Sequence, residues 1–360
     1  MNRTLRNIFA VVATAFSVVS CKKETETVIE YRDKEYSWPE VQSLFGEQRI
    51  IVSTGSDGTA LYFQQPNSFT RFTGQSFRSL QMSGGRLPTD LAIRLPIGRD
   101  FFAYPANDSL LVVCRNNDPL YYEAFVQLRR LDRTATRLET RAFALSKCMA
   151  ISRNNFLLVP YATNRPDRPF TFLLLAVTPG APSTRVSVSP QLVTIPIPAG
   201  QNTVSTYLRS LAAVEDYFLV SLGEAGVYKI RQDGSFRKVY SSALVNVFYK
   251  WQNVVYAPVE PNQLLTSADD GETWSRHSGT PRAFTAATYH TIRDSLIGVH
   301  NDQLFTLRWN GPRFTIRALK NDGLERRTIT GVEYLRDTVY VATTSGLLAR
   351  PVRQFFETKD

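Results

Sequence analysis

The chain of 360 residues has only three cysteines (Cys21, Cys114, Cys148) and three histidines (His277, His290, His300). The histidines lack ligand spacing such as H-E-x-x-H, so the helical zinc-hydrolase pattern is missing. There is no G-x-S-x-G elbow, no phosphate-cradling loop and no G-x-G-x-x-G. Serine-hydrolase, nucleotide and dinucleotide chemistry therefore have no anchor, and no cofactor or metal is expected. No apolar run reaches the ~20 residues that a helix needs to cross a bilayer of ~30 Å. Long helical periodicities are absent, and no Pro/Gly/Ser linker divides the middle of the chain.

What is present points to strands and turns. Aromatics make up 12% of the residues, and 19 glycines and 19 prolines are spread along the chain, as in an all-β protein with many turns. The length exceeds the ~250–300 residues of a usual single core, which leaves two domains or one closed repeat array. The missing linker favours the array.

Residues 1–20 have the form of a signal segment. Arg3 and Arg6 make a positive start, followed by an uncharged, mostly apolar run from Ile8 to Val19. The run ends in Val18-Val19-Ser20-Cys21, which resembles the bacterial lipoprotein box. That resemblance implies lipid attachment at the Cys21 thiol, cleavage before Cys21 and acylation of the new amino terminus, palmitate being one such acyl chain. Several chains at one residue anchor stably where a single one is marginal. Lys22 stands where an aspartate would retain some bacterial lipoproteins in the inner membrane, so the expected location is the outer membrane, periplasmic or surface-facing. Residues 21–34 are then a lipidated cysteine with a charged tether, and 35–360 the folded domain. Residues 28–32 (VIEYR) are the expected closing strand.

Removing Arg3 and Arg6 lowers the formal charge from +10 to +8. An envelope location argues against a nucleic-acid partner, and leaves anionic glycans, lipopolysaccharide phosphates or plain solvated strand faces to account for the surplus. The densest basic group, Arg129, Arg130, Arg133, Arg137 and Arg141, is interleaved with Asp132 and Glu139. With Cys21 lipidated, Cys114 and Cys148 are an even pair: either a bridge, contributing roughly 3–4 kcal/mol, or two buried thiols.

A repeated outline runs through the chain: an apolar run, a turn, and another apolar run. Units begin at Ile50, Leu110, Phe156, Tyr217, Val254, Leu296 and Val339, and the last four starts are 37, 42 and 43 residues apart. That is close to one four-stranded blade, and seven units predict a seven-bladed β-propeller, with six or eight blades as alternatives. The wider early gaps call for insertions, expected at residues 83–99, 160–169 and 179–206.

Within the fifth unit stands Ser267-Ala268-Asp269-Asp270-Gly271-Glu272-Thr273-Trp274. It fits S-x-D-x-G-x-T-W and resembles the Asp box, or BNR repeat, of β-propellers. The resemblance implies a hairpin turn between the third and fourth strands of a blade, with Ser267, Asp269, Gly271, Thr273 and Trp274 as structural residues. Asp boxes are shared by sialidases, photosystem assembly factors, sortilin-type receptors and some endoglucanases. Sialidases carry an early F/Y-R-I-P segment whose arginine grips the substrate carboxylate. Ile93-Arg94-Leu95-Pro96 is similar, which makes Arg94 the candidate ligand-binding residue. Glu333 and Tyr334 are neighbours on one expected strand and cannot form the tyrosine–glutamate nucleophile pair of those enzymes. The expectation is a lipid-anchored envelope propeller that binds a glycan or a protein partner without catalysis, from loops at 83–99, 164–169 and 198–205. A sialidase-like glycoside hydrolase is the alternative.

Overall fold

The computed structural model describes residues 38–41, 49–66, 68–81, 94–106, 109–115, 121–139, 147, 149–167, 169–179, 186–197, 207–241, 243–279, 288–309 and 314–359, all within the unit Ser37–Asp360. Cys21, residues 28–32 and Cys148 lie outside the described residues, as does the side chain of Cys114.

Seven antiparallel sheets follow one another along the chain. Their second strands are Leu61–Gln64, Phe101–Ala106, Phe156–Thr163, Tyr217–Ser221, Val254–Val259, Ser295–His300 and Thr338–Thr343. These segments are apolar nearly throughout, and Leu61–Gln64 and Tyr217–Ser221 are buried at every position. A strand reads this way when both of its faces are covered. In blade 4, Phe218 and Val220 pack toward blade 3, while Tyr217 and Leu219 pack toward blade 5. The two-residue period thus divides each sheet between its neighbours. The outer strands Phe236–Tyr240 and Ser275–Ser278 have no fully buried position, because they face solvent.

Apolar clusters fill the gaps between successive blades from 2 to 7, and another joins blade 7 to blade 1. Phe69 stacks on Phe102 at 3.9 Å to complete the circle between blades 1 and 2. The architecture is a seven-bladed β-propeller. Each fully buried Leu or Phe in these clusters contributes roughly 1.5–3 kcal/mol, so most of the stability lies between the blades.

Closure is made by residues 39–41. Glu40 bridges Leu348, Val41 N donates to Leu347 O at 2.8 Å, and Ala349 N donates to Pro39 O at 3.0 Å. The strand beside Gly346–Pro351 is therefore supplied from the N-terminal side, as expected, but by residues 39–41 rather than 28–32. Trp38 anchors it: the indole is 4% exposed, meets Phe355 edge-on at 6.0 Å and lies under the Arg350 guanidinium at 4.7 Å.

The early part of the ring corrects the repeat frame. The unit starting at Ile50 covers the first and second strands of blade 1, and the unit starting at Leu110 covers the third and fourth strands of blade 2. Counted between second strands, the Leu61-to-Phe101 spacing is 40 residues. Residues 83–99 are not simply an insertion, because Ile97 bridges Phe102 and so places residues 94–98 at the innermost position of blade 2, beside its three regular strands. Residues 179–206 contain the fourth strand of blade 3, Ser187–Ile195, which is mostly exposed and so lacks an apolar run. Residues 160–163 likewise belong to the strand Phe156–Thr163. The innermost strand of blade 3 comes in two pieces, Ala135–Leu138 and Ala150–Ile151, both paired with Phe156–Thr163.

Candidate functional site

Where the seven innermost strands meet, they enclose a cavity of about 340 Å³ to which every blade contributes. Its wall is apolar over blades 4 and 5 (Leu211, Ala213, Val247, Phe248) and polar over blades 1, 2, 6 and 7. Arg94 enters from blade 2, and Lys147 from the segment between the two pieces of the blade 3 inner strand. Glu333 and Thr330 come from blade 7, and His290 and Thr288 from blade 6.

These groups are tied together. Thr54 Oγ1 donates to Glu333 Oε1 at 2.6 Å, and Lys147 Nζ donates to the Thr54 carbonyl at 3.3 Å. A Cβ on Gly331 would sit 2.1 Å from Thr54 Oγ1, so only glycine lets blades 7 and 1 approach closely enough for that bond. Burial raises the Glu333 carboxyl pKa, while the Thr54 hydrogen bond and the Lys147 charge oppose the rise. Burial also pushes His290 down to about 3, helped by Lys147 and Arg94, so its imidazole is neutral at physiological pH. Burial lowers Arg94 as well, but a guanidinium stays charged. Tyr249, also in the wall, is raised by burial and further by the Glu333 charge, and its hydroxyl is hydrogen-bonded to Thr291.

Arg94 thus stands in the axial wall. Lys147, His290, Thr54 and Thr330 were not singled out from the sequence. His290 lacked metal-ligand spacing, and what places it in the wall is its position on an innermost strand. Tyr334 and Glu333 do diverge: Glu333 faces the cavity, whereas the Tyr334 hydroxyl accepts from Arg293 at 3.3 Å.

The turn at Ser267–Trp274 joins the third and fourth strands of blade 5, Gln263–Ser267 and Ser275–Ser278. Asp269 Oδ1 accepts from Ser267 Oγ at 2.7 Å and from Thr273 N at 2.9 Å, and Oδ2 accepts from Thr273 Oγ1 at 2.5 Å. Gly271 N donates to Ser267 Oγ at 2.8 Å, and Trp274 Nε1 donates to the Gly271 carbonyl at 3.2 Å. Gly271 has φ +80, and a Cβ there would press to 3.2 Å of Leu219 in blade 4. Lys229 of blade 4 donates to the Asp270 carbonyl at 2.8 Å and pairs with Glu272 at 2.7 Å. The turn lies against its neighbouring blade, away from the axial cavity.

Among the described residues, no group of His, Cys, Asp and Glu is arranged to hold a metal. None of their helices is long and apolar enough to cross a membrane. Residues 164–169 join the second and third strands of blade 3, with Arg168 outside the described residues, as are 82–93 and 198–206.

No protein-family model matches the sequence, and no curated protein does. Solved structures are similar in fold. YCF48 bound to D1 peptide is 9% identical at TM-score 0.51, over 87% of this chain and 96% of that one. The computationally designed Ika8 protein is 11% identical at TM-score 0.50, over 87% and 99%. The extracellular domain of BT4673 from B. thetaiotaomicron is 11% identical at TM-score 0.48, over 88% of this chain, which spans 40% of that domain's length. Likeness at such identities extends to the fold alone: the chain is a seven-bladed propeller similar to these proteins in architecture.

Proposed function

We propose that the chain is a non-catalytic binding module of a bacterial cell envelope, held at the outer membrane by lipid on Cys21, with the axial cavity as its binding site. The observation that carries this reading is the convergence of Arg94, Lys147 and Glu333 on one concavity of about 340 Å³ beside an apolar wall. Such a mixture of a few polar groups and apolar surface suits a small ligand group. A guanidinium and an ammonium favour an acidic one, carried by a glycan or by a protein partner. YCF48, which is similar in fold, was solved bound to D1 peptide. The turn at Ser267–Trp274, bonded within itself and against blade 4, has a structural role in this reading, and Cys114 with Cys148 remains the candidate bridge.

The test is binding of the mature protein to a glycan array alongside pull-down from solubilised envelope, each with Arg94→Ala. Loss of the captured glycan or partner in the variant, at unchanged melting temperature, is the expected result. Capture that is indifferent to Arg94 would remove the axial site from the reading.

The sialidase-like alternative gains from Tyr249 and Glu333 sharing the cavity with Arg94. Against it, burial keeps the Tyr249 phenol neutral, which opposes a phenolate nucleophile. Glu333 is the single carboxylate among the described lining residues, where acid–base glycoside hydrolysis uses two. Turnover of a fluorogenic sialoside that Arg94→Ala abolishes would restore the hydrolase.

A further inference from the structure

Blades 4 and 5 also meet at the outer rim, around a second hollow of about 310 Å³ lined by Lys229, Arg231, Ser235, Phe236, Arg237 and Glu272. Three cations face one carboxylate there. Lys229 and Arg231 are two residues apart on the third strand of blade 4, Val227–Arg231, so they share a face. Arg237, on the fourth strand, stands directly opposite Lys229. Like charges placed directly opposite in an antiparallel pair are destabilising. Glu272, from the turn at Ser267–Trp274, holds them together. Its Oε1 accepts from Lys229 Nζ at 2.7 Å and from Arg231 Nη2 at 3.3 Å, and its Oε2 pairs with Arg237. All three cations thus lie within the span of one carboxylate, which neutralises only one of them. The nearby acids are engaged elsewhere: Asp233 accepts from the Ser235 amide and hydroxyl, and Asp270 pairs with Lys250 at 3.0 Å. Burial pulls the Lys229 ammonium pKa down, and the charges of Arg231 and Arg237 add to the fall, while Asp270 and Asp216 oppose it.

Lys229 is nearly buried, engaged by Glu272, the Asp270 carbonyl and the Tyr217 ring, and supplies its charge from behind. Arg231 and Arg237 are 60% and 61% exposed, so their forks present N–H groups to the hollow and to solvent. We infer that this hollow binds a phosphate monoester, whose dianion bridges Arg231 and Arg237 and whose organic part lies on the exposed ring of Phe236. The site is separate from the axial cavity and does not depend on it. A phosphate monoester carries about −1.5 to −2 at neutral pH and so matches the surplus of the lining, whereas a carboxylate answers only half of it. Guanidinium forks suit phosphate oxygens because they bond in parallel pairs.

The experiment is calorimetric titration of the mature protein with phenyl phosphate, benzoate and inorganic phosphate. Phenyl phosphate should bind at least about tenfold tighter than benzoate, which has the same ring and less charge, and tighter than inorganic phosphate, which lacks the ring. Arg231→Gln and Arg237→Gln, both at exposed positions, should each weaken phenyl phosphate about fivefold or more, with the melting temperature nearly unchanged. Glu272→Gln should tighten it about fivefold, because the neutral amide releases the cations it held. If the cluster only braces the turn, that variant melts lower and gains no affinity, which overturns the inference; should it fail to fold, the two arginine variants carry the comparison. Benzoate equal to phenyl phosphate, or no binding by any probe, also overturns it. Inorganic phosphate as tight as phenyl phosphate overturns the ester and the part given to Phe236. Binding lost in Arg94→Gln but kept in both Arg231→Gln and Arg237→Gln overturns the rim site and gives the phosphate to the axial cavity, so the two readings fail separately.

Discussion

Asp269 is an exposed carboxylate with an outsized local role. Bonds from the Thr273 hydroxyl and amide, then from Ser267, hold its pKa down to about 2 from the usual 3.8. A depressed folded pKa gives stability that is fully present above the unfolded value and is lost as pH falls through about 2. Asp269→Ala should therefore lower the melting temperature by about 2–4 °C at pH 7, with a penalty that shrinks between pH 4 and pH 2. Melts across that range check it, and ligand affinity at pH 7 should not change. A variant of normal stability with lost binding would move this turn into the binding site. The serine, aspartate, glycine and tryptophan of the turn were legible because the whole hydrogen-bonded circuit spans eight consecutive residues. His290 and Thr330 were not, because their meaning arises from strands 40 residues apart in the chain.

At the scale of elements, the segment at residues 38–41 has the largest effect for its length. It is the fourth strand of blade 7, and without it the edge of Gly346–Pro351 would be open to pairing with other chains. Trp38→Ala removes the indole packed between Phe355 and Arg350, and should destabilise the domain by about 3–5 kcal/mol. Chemical denaturation measures this; a loss below 1 kcal/mol would mean that closure does not depend on the tryptophan. A closing strand was foreseeable because a ring must end where it began. Residues 28–32 looked the better strand by composition, with valine, isoleucine and tyrosine in sequence. Pro39 and Glu40 look unlike a strand, yet an outermost position tolerates both, since a proline there need give up only an outward-facing bond. The fourth strand of blade 3, Ser187–Ile195, went unseen for a related reason: with one face in water it has no need of an apolar run.

For the whole molecule, the reading that joins location to function is the lipid on Cys21. Cys21→Ser in the full chain should release the protein from the membrane pellet into the soluble fraction, while glycan or partner capture by the purified domain persists. A variant that still sediments with membranes would end the anchored reading and leave the cavity untouched.

The amino-acid sequence by itself determined the class and number of the repeats from Tyr217 onward and the turn at Ser267–Trp274, because each of these is written in neighbouring residues. Strand burial on both faces yields continuous apolar runs, and a tight turn demands its own glycine and hydroxyls. The cavity was decided only by the tertiary structure. Its charges and its neutral histidine come from the inner ends of separate blades that local sequence cannot bring together, and their pKa values are set by burial that exists only once the ring has closed.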